Sequence, residues 1–95
     1  HVMGKWGVLV LVALSDGTQR WGELRRTITG ISEKMLASTL KTLEADGLVR
    51  RTAYPEVPPR VEYALTDLGL DLMERLLPLM AWVADHADAM VDRPR

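Results

Sequence analysis

Residues 23–47 read ELRRTITGISEKMLASTLKTLEADG, and this stretch decides the architecture. Leu24 and Ile28 stand four apart with Arg25 and Arg26 turned away from them, the pattern of a short amphipathic helix over Glu23–Ile28. Gly22 is expected to be its N-cap and Thr29-Gly30 to close it. Ser32 then offers a hydroxyl to cap a second helix running to Asp46. Gly47 supplies the left-handed residue on which such a helix ends. Two helices joined by a short turn containing glycine form a helix-turn-helix. On the second helix, at about 100° per residue, Leu36, Leu40 and Leu43 fall within about 60° of one another and make the buried stripe. Lys34, Ser38 and Lys41 fall opposite. Such a face is either ordinary solvated surface or one that meets a polyanion, and taken alone it does not choose.

Downstream, Leu48–Tyr54 and Val61–Leu65 are short extended runs, the second alternating Val61, Tyr63 and Leu65 with Glu62 and Ala64. Between them lies Pro55-Glu56-Val57-Pro58-Pro59-Arg60. Prolines lack the N–H donor that a ladder needs, so this is a stiff loop between antiparallel strands. A helix-turn-helix followed by such a hairpin is a winged helix. Arg60, where the loop rejoins the second strand, is placed to reach a DNA minor groove or phosphate.

Thr66 is expected to cap a long final helix over residues 66–92, with Asp67 and Asp71 near its positive end. Leu68, Leu72, Leu76, Leu79, Val83, Ala87 and Met90 recur along it at spacings of four and three. Met73, Leu77, Met80 and Ala84 form a second stripe beside them. So much apolar surface exceeds what a small domain can cover, which implies a partner helix from a second copy of the chain. Pro78 predicts a kink or a break near Leu77. At the other end, residues 5–14 are apolar nearly all round, so periodicity does not separate helix from strand. A helix is preferred there, followed by a turn at Asp16-Gly17 and a short extended piece at Thr18–Trp21.

Composition bounds the function. With 95 residues, 47% apolar and 26% charged, the chain reads as one globular domain over 1–95, which sets aside disordered, collagen-like and coiled-coil classes. The longest apolar run, Trp6–Leu14, is far short of the roughly 18 residues that span a bilayer. It has no small-residue cleavage site after it, so a cytoplasmic protein is expected. Zero cysteines exclude a disulfide framework, a Cys-ligated zinc site and thiol chemistry within these residues. The net charge of −1 is uneven: residues 18–63 carry eight Lys or Arg against six Asp or Glu, and residues 64–95 carry three against six. A duplex would therefore meet the middle of the chain, and the acidic tail would face elsewhere.

No catalytic constellation is present. There is no Ser-His-Asp set, no glycine-rich phosphate loop and no His-x-x-x-His pair, so neither an enzyme nor a metal or cofactor is expected. Trp6, Trp21 and Trp82 read as core or interface anchors, and His86 as a helix-surface residue.

These residues resemble the HxlR family of bacterial regulators, winged-helix relatives of the MarR group. The likeness is carried by Gly4-Lys5-Trp6, Glu23-Leu24-Arg25-Arg26, Gly30-Ile31-Ser32-x-Lys34-Met35-Leu36 and Leu43-Glu44-Ala45-Asp46-Gly47-Leu48-Val49-x-Arg51. It continues through Tyr54–Tyr63 and Leu65-Thr66-x-x-Gly69, covering about residues 4–86 without insertion. The resemblance implies a mainly α fold with a small β-hairpin wing. It implies a homodimeric regulator of double-stranded operator DNA, with residues 18–65 as the reading module and helices 5–15 and 66–92 for dimerisation. In that family's arrangement helix 32–46 enters the major groove and wing 54–63 touches the flanking groove, with half-sites about one turn apart. DNA contact carries over to Ser32, Lys34, Ser38, Lys41 and Arg60, and dimer packing to Trp6, Leu72, Leu76, Leu79, Trp82 and Val83. Any small-molecule effector is expected between the first helix, the last helix and the wing base. Many family members carry a sensing cysteine upstream of the Gly-Lys-Trp motif, and these 95 residues have none. Gly22 and Gly7 also depart from the family pattern, which often has a polar cap and a larger residue there. The competing class is a winged helix that binds only protein. It would show an apolar or acidic face where Lys34, Ser38, Lys41 and Arg60 stand.

Overall fold

Leu36, Leu40 and Leu43 are 0–1% exposed and form the centre of the core. The computed structural model describes residues 4–91. The ends of the expected 1–95 domain, including Asp92, lie outside the described residues. The order is α1 (Lys5–Leu14), β1 (Gln19–Arg20), α2 (Trp21–Thr27), α3 (Glu33–Ala45), β2 (Val49–Tyr54), β3 (Arg60–Leu65), α4 (Asp67–Asp85) and α5 (Ala87–Val91). This is the expected class, mainly helical with a small antiparallel sheet.

The apolar run at the start resolves as helix. α1 buries Gly7, Val10, Leu11, Ala13 and Leu14 and leaves Leu9 at its rim. Leu24 of α2, Ile28, Ile31, the three α3 leucines, Leu48, Val49, Tyr63, Leu65 and Met73 complete a single cluster. The hairpin register sets Val49 opposite Leu65, Arg51 opposite Tyr63 and Ala53 opposite Val61. Because side chains alternate along a strand, these three pairs share the sheet face turned to the helices. Arg50, Thr52 and Tyr54 share the other face with Ala64, Glu62 and Arg60.

The structure corrects three local expectations. The extended piece is only Gln19–Arg20, and it joins β3 as a third strand, giving the order β1-β3-β2. Trp21 is already helical, so the N-cap of α2 is Arg20 and Gly22 lies within the first turn. The cap is made from the far side: the Glu23 carboxylate accepts the Arg20 backbone N–H at 2.7 Å. Finally, the last helix is two helices. α4 runs unbroken through Pro78, and the chain breaks at His86 before α5.

Two backbone joints position the recognition elements. α3 ends on Gly47 at φ +79, with Gly47 N–H bonded to the Glu44 carbonyl and Leu48 N–H to the Leu43 carbonyl, each at 3.0 Å. That is a complete Schellman closure. Thr66, the cap of α4, donates its hydroxyl to the Gly47 carbonyl at 2.6 Å and accepts the Gly69 N–H at 3.1 Å. The end of α3 and the start of α4 are thereby one unit.

Candidate nucleic-acid interface

Ser32 accepts the Met35 N–H at 3.0 Å, which starts α3 three residues after the turn glycine Gly30 at φ +87. Arg25 reaches across the turn to Glu33 at 3.2 Å and ties α2 to that start. With the leucine stripe sunk into the core, Lys34, Ser38 and Lys41 are left exposed on the opposite side of the helix. Among the described residues neither lysine has an ion-pair partner. The face is therefore one uncompensated strip of cation and hydroxyl, raised on a helix that is rigidly backed.

Two clefts flank the ridge of α3. On one side the start of α1, with Lys5 and Trp6, faces Met35, Ser38, Thr39 and Thr42. On the other side Trp21, Arg51 and Tyr63 face Ala37, Lys41 and Glu44. Neither Lys5 nor Arg51 was singled out as a site residue from sequence. Arg51 could have been, since strand alternation with Val49 and Ala53 puts it on the face turned to α3. Nothing in the sequence shows that α1 begins beside α3.

Arg60 is engaged within the wing. Its guanidinium pairs with Glu56 at 2.9 Å and Glu62 at 3.4 Å and lies 4.0 Å over the Tyr54 ring centroid. Its Nε is buried without a hydrogen-bond partner. The residues assigned to dimer packing divide into two groups. Trp6, Leu72 and Leu76 are half-buried against the protomer's own core. Leu79, Trp82 and Val83 are 57%, 52% and 42% exposed. Trp82 stacks on His86, ring centroids 4.2 Å apart, and the His86 Nδ1 lies 2.8 Å from the Trp82 carbonyl. An apolar cleft lies between α1 and the end of α2, lined by Leu9, Val12, Ala13, Asp16, Thr27, Ile28 and Thr29. Of the elements between which an effector site was expected, the first helix, the last helix and the wing base, only the first helix lines this cleft. Among the described residues no cluster of His, Cys, Asp or Glu could hold a metal ion, and no helix is long and apolar enough to cross a membrane.

A family model described as HxlR-like helix-turn-helix matches residues 1–91. This chain belongs to the HxlR-like helix-turn-helix family. It is 55% identical over 83 residues to the uncharacterized HTH-type transcriptional regulator YtfH of Escherichia coli strain K12. That match takes in 87% of this HxlR-like chain and 66% of YtfH, a little under two-thirds of the relative's length. The solved ytfH regulator from Salmonella typhimurium superposes with a TM-score of 0.83 at 48% identity, covering 96% of this chain and 81% of that one. A MarR-family regulator from Enterococcus faecalis V583 gives a TM-score of 0.83 at 39% identity, covering 97% and 84%. The HxlR-like chain thus carries the helix-turn-helix domain of transcriptional regulators, with MarR-like structural neighbours.

Proposed function

We propose that this protein is a transcriptional regulator that binds operator DNA sequence-specifically as a homodimer, α3 of each copy lying in a major groove. The observation that carries this reading is the strip Lys34, Ser38 and Lys41, exposed, without carboxylate partners among the described residues, and opposite the buried leucines. A protein-binding winged helix would need an apolar or acidic face at the same place. Lysines on a groove-facing helix supply charge for phosphates and donors for base edges. Ser32 takes part through its remaining O–H, its oxygen lone pair being given to the Met35 amide. Arg60 enters in a different capacity. Its charge is already met by Glu56 and Glu62, so it shapes the wing, which rests on the flanking groove.

Pairing belongs to the outer half of α4. A folded chain of 95 residues packed as one compact body has a radius of gyration of about 12 Å. This chain has 15.3 Å and extents of 58 × 27 × 21 Å. Beyond Leu76, α4 leaves the core, and the exposed Leu79, Trp82 and Val83 lie on the part that projects. A second copy is the occupant that covers identical surfaces symmetrically. Two copies also supply what one near-neutral protomer lacks, a doubled set of phosphate contacts.

The test is titration of a labelled duplex from the region flanking the protein's own gene, at about 50 and about 200 mM salt. A dimer with 6–10 phosphate contacts loses about 10³ to 10⁵ in affinity over that range. Absence of binding to that duplex, at either salt, rules out the regulator reading.

A further inference from the structure

Resting on the duplex binding proposed above, we infer that Lys5 and Arg51 are the two phosphate contacts that straddle the recognition helix. One grips each strand bordering the major groove. The geometry comes from the two clefts. At about 100° per residue from Lys34, Met35 and Thr39, the α3 residues that line only the Lys5 cleft, lie at about 100–140° to one side, while Ser38 and Thr42 border both clefts. Ala37 and Glu44, which line the Arg51 cleft, lie at about 60–80° to the other. The strip Lys34, Ser38 and Lys41 is centred between them. A helix seated in a major groove has one phosphate chain along each flank, because the groove is only about 12 Å wide and the helix with its side chains is nearly as broad. The two clefts are where those chains run.

Each cleft presents a cation suited to the task. Lys5 is exposed at the mouth of its cleft, its Nζ held 4.9 Å from the Trp6 ring centroid, and among the described residues it has no ion pair. It is the only charged residue of α1. Arg51 is exposed opposite Tyr63 on the helix-facing side of the sheet. Glu44 lines the same cleft, yet no ion pair joins it to Arg51 among the described residues. Arg60 and Arg75 show the contrast, each held by a nearby carboxylate. α1, to which the family resemblance assigns dimerisation, thus begins on the DNA side and buries much of its remainder in the core.

Contacts of this kind position the protein and carry no sequence information. They have a signature that distinguishes them from Lys34 and Lys41. Lys5→Met and Arg51→Met keep the apolar stems and remove the charges. Equilibrium titrations over a salt series use two probes, the duplex flanking the protein's own gene and a random-sequence duplex of equal length. Each single variant is expected to reduce the salt slope of log K by about 1.8 per dimer, two contacts at about 0.9 each, and the double variant by about 3.6. Both probes weaken by the same factor, so their affinity ratio stays at the wild-type value. Lys5→Arg and Arg51→Lys restore the slope. Circular dichroism and sedimentation run on the same samples exclude a folding defect. Slopes that stay at the wild-type value in well-folded variants overturn the inference while leaving duplex binding intact. A variant that changes the ratio between probes moves its residue from the backbone to the bases and overturns it as well. Wild-type protein that binds neither duplex overturns the functional reading itself, and this inference with it.

Discussion

At the scale of single residues, the tightest constraint is a missing side chain. A Cβ on Gly69 would stand 2.2 Å from the Leu48 carbonyl oxygen and 3.2 Å from Leu65 Cδ2. That carbonyl also accepts the Thr66 N–H at 3.1 Å, and it belongs to the turn on which α3 closes. Alanine at Gly69 would drive backbone against backbone at the joint between the recognition helix and α4. Since overpacking typically costs about 1–3 kcal/mol, and here no flexible side chain can yield, Gly69→Ala is expected at about 3 kcal/mol or more. At about 4–8 °C per kcal/mol, the melting point should fall by more than about 12 °C. Gly22 predicts the opposite sign. It lies inside α2, and a Cβ there would meet only Arg26 Nη1 at an ordinary 3.5 Å. Gly22→Ala should raise stability by about 0.5–1 kcal/mol through the helix propensity gained. A melt in which Gly22→Ala is less stable than the parent would return Gly22 to the capping position expected from sequence.

At the scale of elements, legibility followed burial. α3 and β3 could be read because each has one face in the core, so the leucine stripe and the Val61, Tyr63, Leu65 alternation are printed in the residue order. What the sequence hid depends on partners rather than on period. The cap of α2 is supplied by Glu23 folding back onto Arg20, which leaves no signal at the capping position itself. The break at His86 has no glycine or proline to mark it. Pro78, the residue that should interrupt α4, does not, and its exposure explains why: Glu74, whose carbonyl loses its donor, is also at the surface, where water serves. The candidate site was half legible. The α3 strip followed from helical spacing, but the paired state of Arg60 depended on reading positions 60 and 62 as one strand face and on the loop turning Glu56 back. This yields a prediction about the wing. Arg60→Gln removes two partly exposed ion pairs and a cation–π contact, a loss of about 1 kcal/mol, or about 4–8 °C in melting temperature. It should leave the salt slope of DNA binding at the parent value. A slope reduced by about 1.8 per dimer would instead make Arg60 a phosphate contact.

At the scale of the whole molecule, the burial of α4 changes near Leu76. Its first half belongs to the protomer: Met73 is 3% exposed, and Leu72 and Leu76 pack against the core. Its second half lies beyond the core cluster and exposes Leu79, Trp82 and Val83. If pairing runs through the outer half as proposed, the division separates folding from pairing, which an aspartate scan can read out. Leu76→Asp places a charge against the core and should lower protomer stability together with dimerisation, so its failure to pair would be ambiguous. Leu79→Asp and Trp82→Asp place the charge outside the protomer's core, the latter at the cost of the Trp82–His86 stack, and should give monomers with intact helix content. Two observables follow from mass action. The parent's melting temperature should rise with protein concentration, because pairing stabilises only the folded state, whereas that of the two variants should not. Their DNA affinity should fall sharply, since each half-site is then bound without the effective concentration that the tethered second copy provides. Exposed acidic side chains run along both halves and into α5: Asp71, Glu74, Asp85 and Asp88, with only Arg75 among them. They would oppose a phosphate backbone, so the proposed duplex binding requires a dimer that turns them away from it. A sedimentation mass that stays dimeric for both Leu79→Asp and Trp82→Asp would take the outer half of α4 out of the interface and require another surface to hold the two reading helices apart.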